Sequence, residues 1–148
     1  RLMAGVYASR GLSALVFRGA NTGLDELTTT DANQVWIVSG GSVTPTEFDA
    51  RESLGMAASS IEDLAGGEAA ENAAVARDVL SGGGADAVRD AVALNVGAGI
   101  LAWEGLENPV TQADFAERMR GAVERALGAL ADGSGARLIE RWVEASNA

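Results

Sequence analysis

Every strand-type run in this sequence lies before residue 49, and the chain from about residue 60 onward reads as helix. Leu12 to Arg18 carries Leu15, Val16 and Phe17 in a short apolar run that opens into a loop rich in Gly, Asn and Thr, the pattern of a buried strand. Gln34 to Ser39, with Val35, Trp36, Ile37 and Val38, is a second strand, and Gly40-Gly41 supplies the positive φ of a tight hairpin into Ser42 to Phe48. Pro45 has no N–H to give to a ladder, so this last strand belongs at a sheet edge. Leu2 to Ser9 precedes them as helix, with Gly11 as a left-handed stop. Strands followed by helices ordinarily indicate an α+β domain. The opening helix, strand and acidic loop also suit the last portion of an α/β sheet, whose ligands bind outside the carboxyl ends of the strands. The expected fold is α/β, a few strands packed with about four or five helices.

The helical part divides at its glycines. Ser60 caps a short turn through Leu64, and a longer helix runs from about Glu68 or Glu71 to Leu80, ended by Gly82-Gly83-Gly84. Asp86 to Trp103 is apolar on nearly every side, which describes a helix buried among other elements and requires its Asn95 to find partners there. Thr111 with Asp114 resembles a capping box ahead of Phe115, Met119, Val123, Leu127 and Leu130, which recur on one helical face. A last helix, about Gly135 to Ala145, is expected to offer Leu138, Ile139, Trp142 and Val143 to the same core. Trp36, Trp103 and Trp142 are read as core or interface residues, and Thr28, Thr29 and Thr30 as extended backbone.

The chemical repertoire is narrow. Cysteine and histidine are absent and all eleven basic residues are arginine, so the chain has no thiolate, no imidazole, no Schiff-base amine and no P-loop lysine. Carboxylates, arginines, hydroxyls, amides and glycine-rich backbone remain, a set suited to oxygen-ligated cations such as magnesium and to phosphate groups. Gly66-Gly67 and Gly82-Gly84 lack P-loop spacing and read as helix termini. The net charge of −10 argues against a nucleic-acid footprint and against an anionic membrane surface. The longest nearly apolar run, Ala91 to Trp103, falls short of the ~20 residues that cross a bilayer, so a soluble protein is expected. Arg1 leads directly into Leu2, Met3 and Ala4 with no secretory leader, and the chain is expected to be cut from something longer.

Asp25 and Glu26 are adjacent carboxylates just beyond the first strand, after Gly23, which can bend the backbone sharply. Magnesium prefers one or two such carboxylates together with waters and substrate phosphates. Asp-Glu pairs are also common in solvated loops, and by itself this one is more simply a solvated loop.

The surrounding motifs change that weighting. Leu15-Val16-Phe17-Arg18-Gly19, Gly23-Leu24-Asp25-Glu26-Leu27 and Thr28-Thr29-Thr30 together resemble a signature segment of anthranilate phosphoribosyltransferases. The resemblance continues, in the family's order, through Leu64-Ala65-Gly66-Gly67-Glu68-Ala69 with Glu71-Asn72-Ala73, Leu80-Ser81-Gly82, and Arg89-Asp90-Ala91-Val92-Ala93-Leu94-Asn95. It implies the carboxyl-terminal part of a phosphoribosyltransferase/nucleoside-phosphorylase-type α/β domain. Residues 1–148 would form a single partial domain, with an amino-terminal helical domain and the first part of the α/β domain lying upstream. The implied activity is cytoplasmic transfer of the phosphoribosyl group from phosphoribosyl diphosphate to anthranilate, in tryptophan biosynthesis, by a homodimeric parent. Asp25 and Glu26 would hold Mg²⁺, and no residue of this chain is implied as a nucleophile or acid–base catalyst. The diphosphate-gripping loop and the anthranilate-binding arginine would lie upstream, so the chain alone is expected to be inactive. The alternatives are a pyrimidine nucleoside phosphorylase-type enzyme or a non-catalytic binding homologue of the same fold. Two departures stand out: Arg18 occupies a position usually held by histidine, and Gly19 to Gly23 is one residue longer than the family's usual spacing. Arg18 would serve as a phosphate contact or simply as a strand-end arginine in solvent.

Overall fold

The computed structural model describes residues 1–148. Helix α1 (Leu2–Ser9) leads into β1 (Ala14–Gly19), and β2 (Asn33–Ser39) and β3 (Ser42–Phe48) complete a three-stranded sheet of order β1-β2-β3. Both pairings are antiparallel, with Phe17 opposite Val35 and Trp36 opposite Pro45. Pro45 thus lies on an edge strand, where its missing N–H interrupts no second ladder. Gly40 and Gly41, at φ 55° and 76°, form the two-residue turn that sets Ser39 opposite Ser42.

The sheet is covered on both faces. Ala4 and Ala8 of α1 pack on Val38, flanked by Val16 and Trp36. Val35 and Ile37, with Leu15 and Phe17, turn the other way into the main core. This two-sided burial explains the unbroken apolar run of β2 and gives helix, sheet and helix layers, the α/β arrangement expected.

The remaining helices are α2 (Ala50–Leu54), a 3₁₀ turn (Glu62–Leu64), α3 (Ala69–Leu80), α4 (Asp86–Glu104), α5 (Phe115–Ala131) and α6 (Ser134–Ser146). Six α-helices therefore stand where four or five were expected. The additional one, α2, spans five residues, too short for a periodic signal, and is held by Asp49, whose Oδ1 accepts the Arg51 N–H at 2.9 Å. The caps read from sequence at Ser60 and Thr111 are formed: Asp63 Oδ2 accepts the Ser60 N–H and Asp114 Oδ1 the Thr111 N–H, each at 2.8 Å. Helix α3 starts on a capping box between Glu68 and Glu71 that was not read from the sequence. Helices α4 and α5 meet at Gly97, where a Cβ would sit 2.8 Å from Val123 Cγ2. Phe115, Met119, Val123 and Leu130 fill the core from α5, and Phe115 meets Phe48 edge-on at 5.3 Å between ring centroids.

Four expectations are corrected. Helix α6 contributes no fully buried residue: Leu138, Trp142 and Val143 are 55%, 68% and 55% exposed. It is half-buried only in its first turns, where Gly135 approaches Leu80, so its apolar stripe looks away from the core. Helix α4 buries Ala93, Leu94, Gly97, Ala98 and Leu101 on one face but leaves Val96 and Trp103 exposed, so it is covered on one side rather than all round. Of the tryptophans, Trp36 packs within the fold, whereas Trp103 and Trp142 face solvent, which removes the core half of their core-or-interface reading. Finally, Thr28 to Thr30 form no strand: Thr29 and Thr30 lie in a bend, and the Thr28 hydroxyl accepts the Thr30 N–H at 3.0 Å.

Candidate functional site

The acidic loop leaves the carboxyl end of β1 through a tight turn. Gly19 donates its N–H to Leu24 O at 2.8 Å, Gly23 donates back to Gly19 O at 3.2 Å, and Ala20 donates to Ala32 O at 2.8 Å. Asp25 and Glu26 follow on an exposed bend, and Leu27, 1% exposed, drives the chain back into the core. The pair is thus the solvent-facing crest of a short span between two anchors.

The downstream anchor is made by asparagine. Asn95, midway along α4, accepts the Leu27 N–H at 3.0 Å on Oδ1 and donates from Nδ2 to Leu27 O and Ala91 O, each at 2.9 Å. Asn33, fully buried at the start of β2, accepts the Thr28 N–H at 2.9 Å and donates to Thr28 O and Phe48 O at 2.9 and 3.2 Å. Each side-chain amide pairs like a piece of backbone, which fixes Leu27 and Thr28 against α4 and the sheet. Thr29 Oγ1 lies 2.7 Å from Ser59 Oγ and ties the same segment to the chain after α2.

The upstream anchor is Asp31. Its Oδ2 accepts the N–H groups of Asn21 and Thr22 at 2.6 and 2.9 Å, and its Oδ1 accepts the hydroxyls of Thr22 and Thr30 at 3.2 and 3.4 Å. Burial pushes the Asp31 carboxyl up, but the amides of Thr22 and Asn21 and the two hydroxyls outweigh it, so it titrates below the usual carboxylate range.

Asp25 and Glu26 themselves enter no ion pair. No third His, Cys, Asp or Glu joins them to form a metal-sized cluster. Two exposed adjacent carboxylates fit a hard cation that completes its shell with water and phosphate oxygens, and they are too few for an all-protein cage. Glu26 borders a cleft of about 410 Å³ against α4, shared with Val88, Val92 and Asn95. A larger groove of about 880 Å³ continues between α3 and α4, but it is mostly apolar, and its one carboxylate, Glu71, is engaged in the α3 cap. Arg18 is exposed and donates Nε–H to Gln34 Oε1 at 3.0 Å across the strands. That is the strand-end arginine reading. Asn72 accepts the Gly67 N–H on Oδ1 and donates from Nδ2 to Gly67 O, each at 2.8 Å.

The structure is thus a layered α/β unit with an exposed acidic pair on the loop after its first strand. The chain belongs to the glycosyl transferase family, a/b domain, whose sequence profile matches residues 2–136. It is 47% identical over 143 residues to the anthranilate phosphoribosyltransferase of Arthrobacter sp., covering 96% of this chain and 38% of that protein. The corresponding enzyme of Nocardia farcinica is 45% identical over 149 residues, covering 99% and 42%. Among solved structures, anthranilate phosphoribosyltransferase from Thermus thermophilus superposes with a TM-score of 0.79 at 33% identity, over 99% of this chain and 39% of that one. The Saccharomyces cerevisiae enzyme in complex with phosphoribosyl diphosphate and Mg shares the fold, with a TM-score of 0.72 at 18% identity over 89% of this chain and 34% of that one. The chain thus spans about two fifths of the length of these relatives.

Proposed function

We propose that the protein carrying this chain transfers the phosphoribosyl group from phosphoribosyl diphosphate to the amino nitrogen of anthranilate, in the cytoplasm, as a step of tryptophan biosynthesis. In that reaction the ribose C1–N bond forms, the bond from C1 to the diphosphate oxygen breaks, and the amino group gives up a proton. The supporting observation is the unpaired Asp25-Glu26 crest, held from both sides at the position where the resemblance assigns a metal-holding pair. Asp25 and Glu26 would hold Mg²⁺ here. When bound, the ion supplies charge neutralisation for the departing pyrophosphate, an electrostatic contribution that needs no protein nucleophile. The chain's own share is to keep two carboxylates rigid and exposed at the mouth of the Glu26 cleft, so that little reorganisation accompanies binding. Grip on the diphosphate and recognition of anthranilate fall to residues upstream of this segment, in a homodimeric parent.

The decisive assay mixes the full-length protein with anthranilate, phosphoribosyl diphosphate and Mg²⁺ and follows loss of anthranilate fluorescence. Loss that requires both phosphoribosyl diphosphate and Mg²⁺ is expected, with none from residues 1–148 alone. Phosphorolysis of pyrimidine nucleosides without anthranilate consumption would replace this reading with a nucleoside phosphorylase.

A further inference from the structure

We propose that Asp31 is a positioning residue for the acidic pair, locking the turn Gly19–Gly23 so that Asp25 and Glu26 are presented together to a divalent cation. The inference rests on the metal-holding reading of that pair and adds a residue that touches neither metal nor substrate.

Two observations carry it. First, Asp31 is a carboxylate only 8% exposed, and burying such a charge costs several kcal/mol unless it is compensated. The compensation comes from hydrogen-bond donors, not from an ion pair, and three of the four bonds arise from Asn21 and Thr22 within the turn. Second, the turn delivers the chain directly to the pair: Gly19 N–H to Leu24 O closes it at 2.8 Å, and Asp25 is the next residue. Asp31 also lies one residue before Ala32, whose carbonyl accepts the Ala20 N–H at 2.8 Å, so it fastens the turn to the start of β2. A buried carboxylate bonded to two successive amides restrains the turn immediately ahead of Asp25. With Asn95 fixing Leu27 on the other side, the span carrying both carboxylates is held at each end.

The test uses the full-length protein and Mn²⁺ as a paramagnetic probe, with bound metal read from water-proton relaxation and turn order from amide hydrogen exchange of residues 20–26. Asp31→Ala is expected to weaken Mn²⁺ binding roughly tenfold, the scale seen when groups that orient metal ligands are removed. Exchange at Asn21 and Thr22 should accelerate. Asp31→Asn is near-isosteric, keeps one oxygen facing the two amides but loses the charge, and should recover most of the affinity, leaving a deficit of roughly threefold. It supplies the reading should the alanine variant not fold. Unchanged Mn²⁺ affinity in both variants, with only lower thermal stability, would overturn the positioning role and leave Asp31 a loop brace. Asp25→Asn, measured alongside, separates the two claims: if it too leaves Mn²⁺ binding unchanged, the metal reading falls and the positioning role falls with it.

Discussion

At the scale of single residues, the electrostatics of Asp31 have a measurable consequence for stability. Its folded-state carboxyl titrates below the unfolded value, because the amides and hydroxyls of Thr22, Asn21 and Thr30 outweigh the cost of its burial. The linked stability is therefore fully present above the unfolded pKa of about 3.9 and is lost as pH falls from there through the folded pKa. Urea midpoints for wild type and Asp31→Asn should accordingly differ at neutral pH and converge in acid, and a constant difference across that range would contradict the assignment. Asp49, Asp63, Asp114 and Asp132 are held low by their own bonds and contribute the same slope to both proteins. Residue by residue, the site was only partly legible in the sequence. The adjacency of Asp25 and Glu26 is visible in one dimension, and so is the need of Asn95 for partners inside an apolar helix. That its partner is Leu27 is not, because 68 residues separate them. Asp31 and Asn33 carried only the weak signal of polar residues at a loop end and at the start of an apolar strand, since the amides they bond become neighbours only once the turn has formed.

Among the elements, the α4–α5 contact makes the sharpest forecast. Gly97 and Gly99 lie on opposite faces of the same helix. A Cβ at Gly97 would sit 2.8 Å from Val123 Cγ2 and 3.1 Å from Val123 N, whereas one at Gly99 meets nothing within 4 Å. Gly99→Ala should stabilise the fold by about 0.5–1 kcal/mol through helix propensity. At Gly97 the same gain is opposed by overpacking of about 1–3 kcal/mol, so Gly97→Ala should be net destabilising in chemical denaturation. Equal effects at the two positions would show that the helices do not approach at Gly97. Elements with strong local chemistry, such as the Gly40-Gly41 hairpin and the capped start of α5, were readable because their determinants are neighbours in sequence. The orientation of α6 was not. Its apolar stripe is a property of the helix alone, while the partner for that stripe is a property of the fold, and here the first turns dock on α3 and leave Leu138, Trp142 and Val143 facing outward.

For the whole molecule, layering rather than sequence order decides the class. A sheet read as strands-then-helices would be α+β, yet α1 covers one face and α4 with α5 the other, and Val35 to Val38 of β2 form an unbroken apolar run because both faces are occupied. That arrangement delivers one acidic loop to the end of β1 and braces it from the turn on one side and from α4 on the other. The central claim is that the crest of this loop, Asp25 and Glu26, is the metal-holding part of a phosphoribosyl-transfer site. It is tested most directly by titrating Mg²⁺ into the full-length protein and following anthranilate consumption for wild type, Asp25→Asn and Glu26→Gln. The account predicts that each variant needs at least roughly tenfold more Mg²⁺ for half-maximal rate, or loses turnover altogether. Wild-type magnesium dependence in both variants would contradict it.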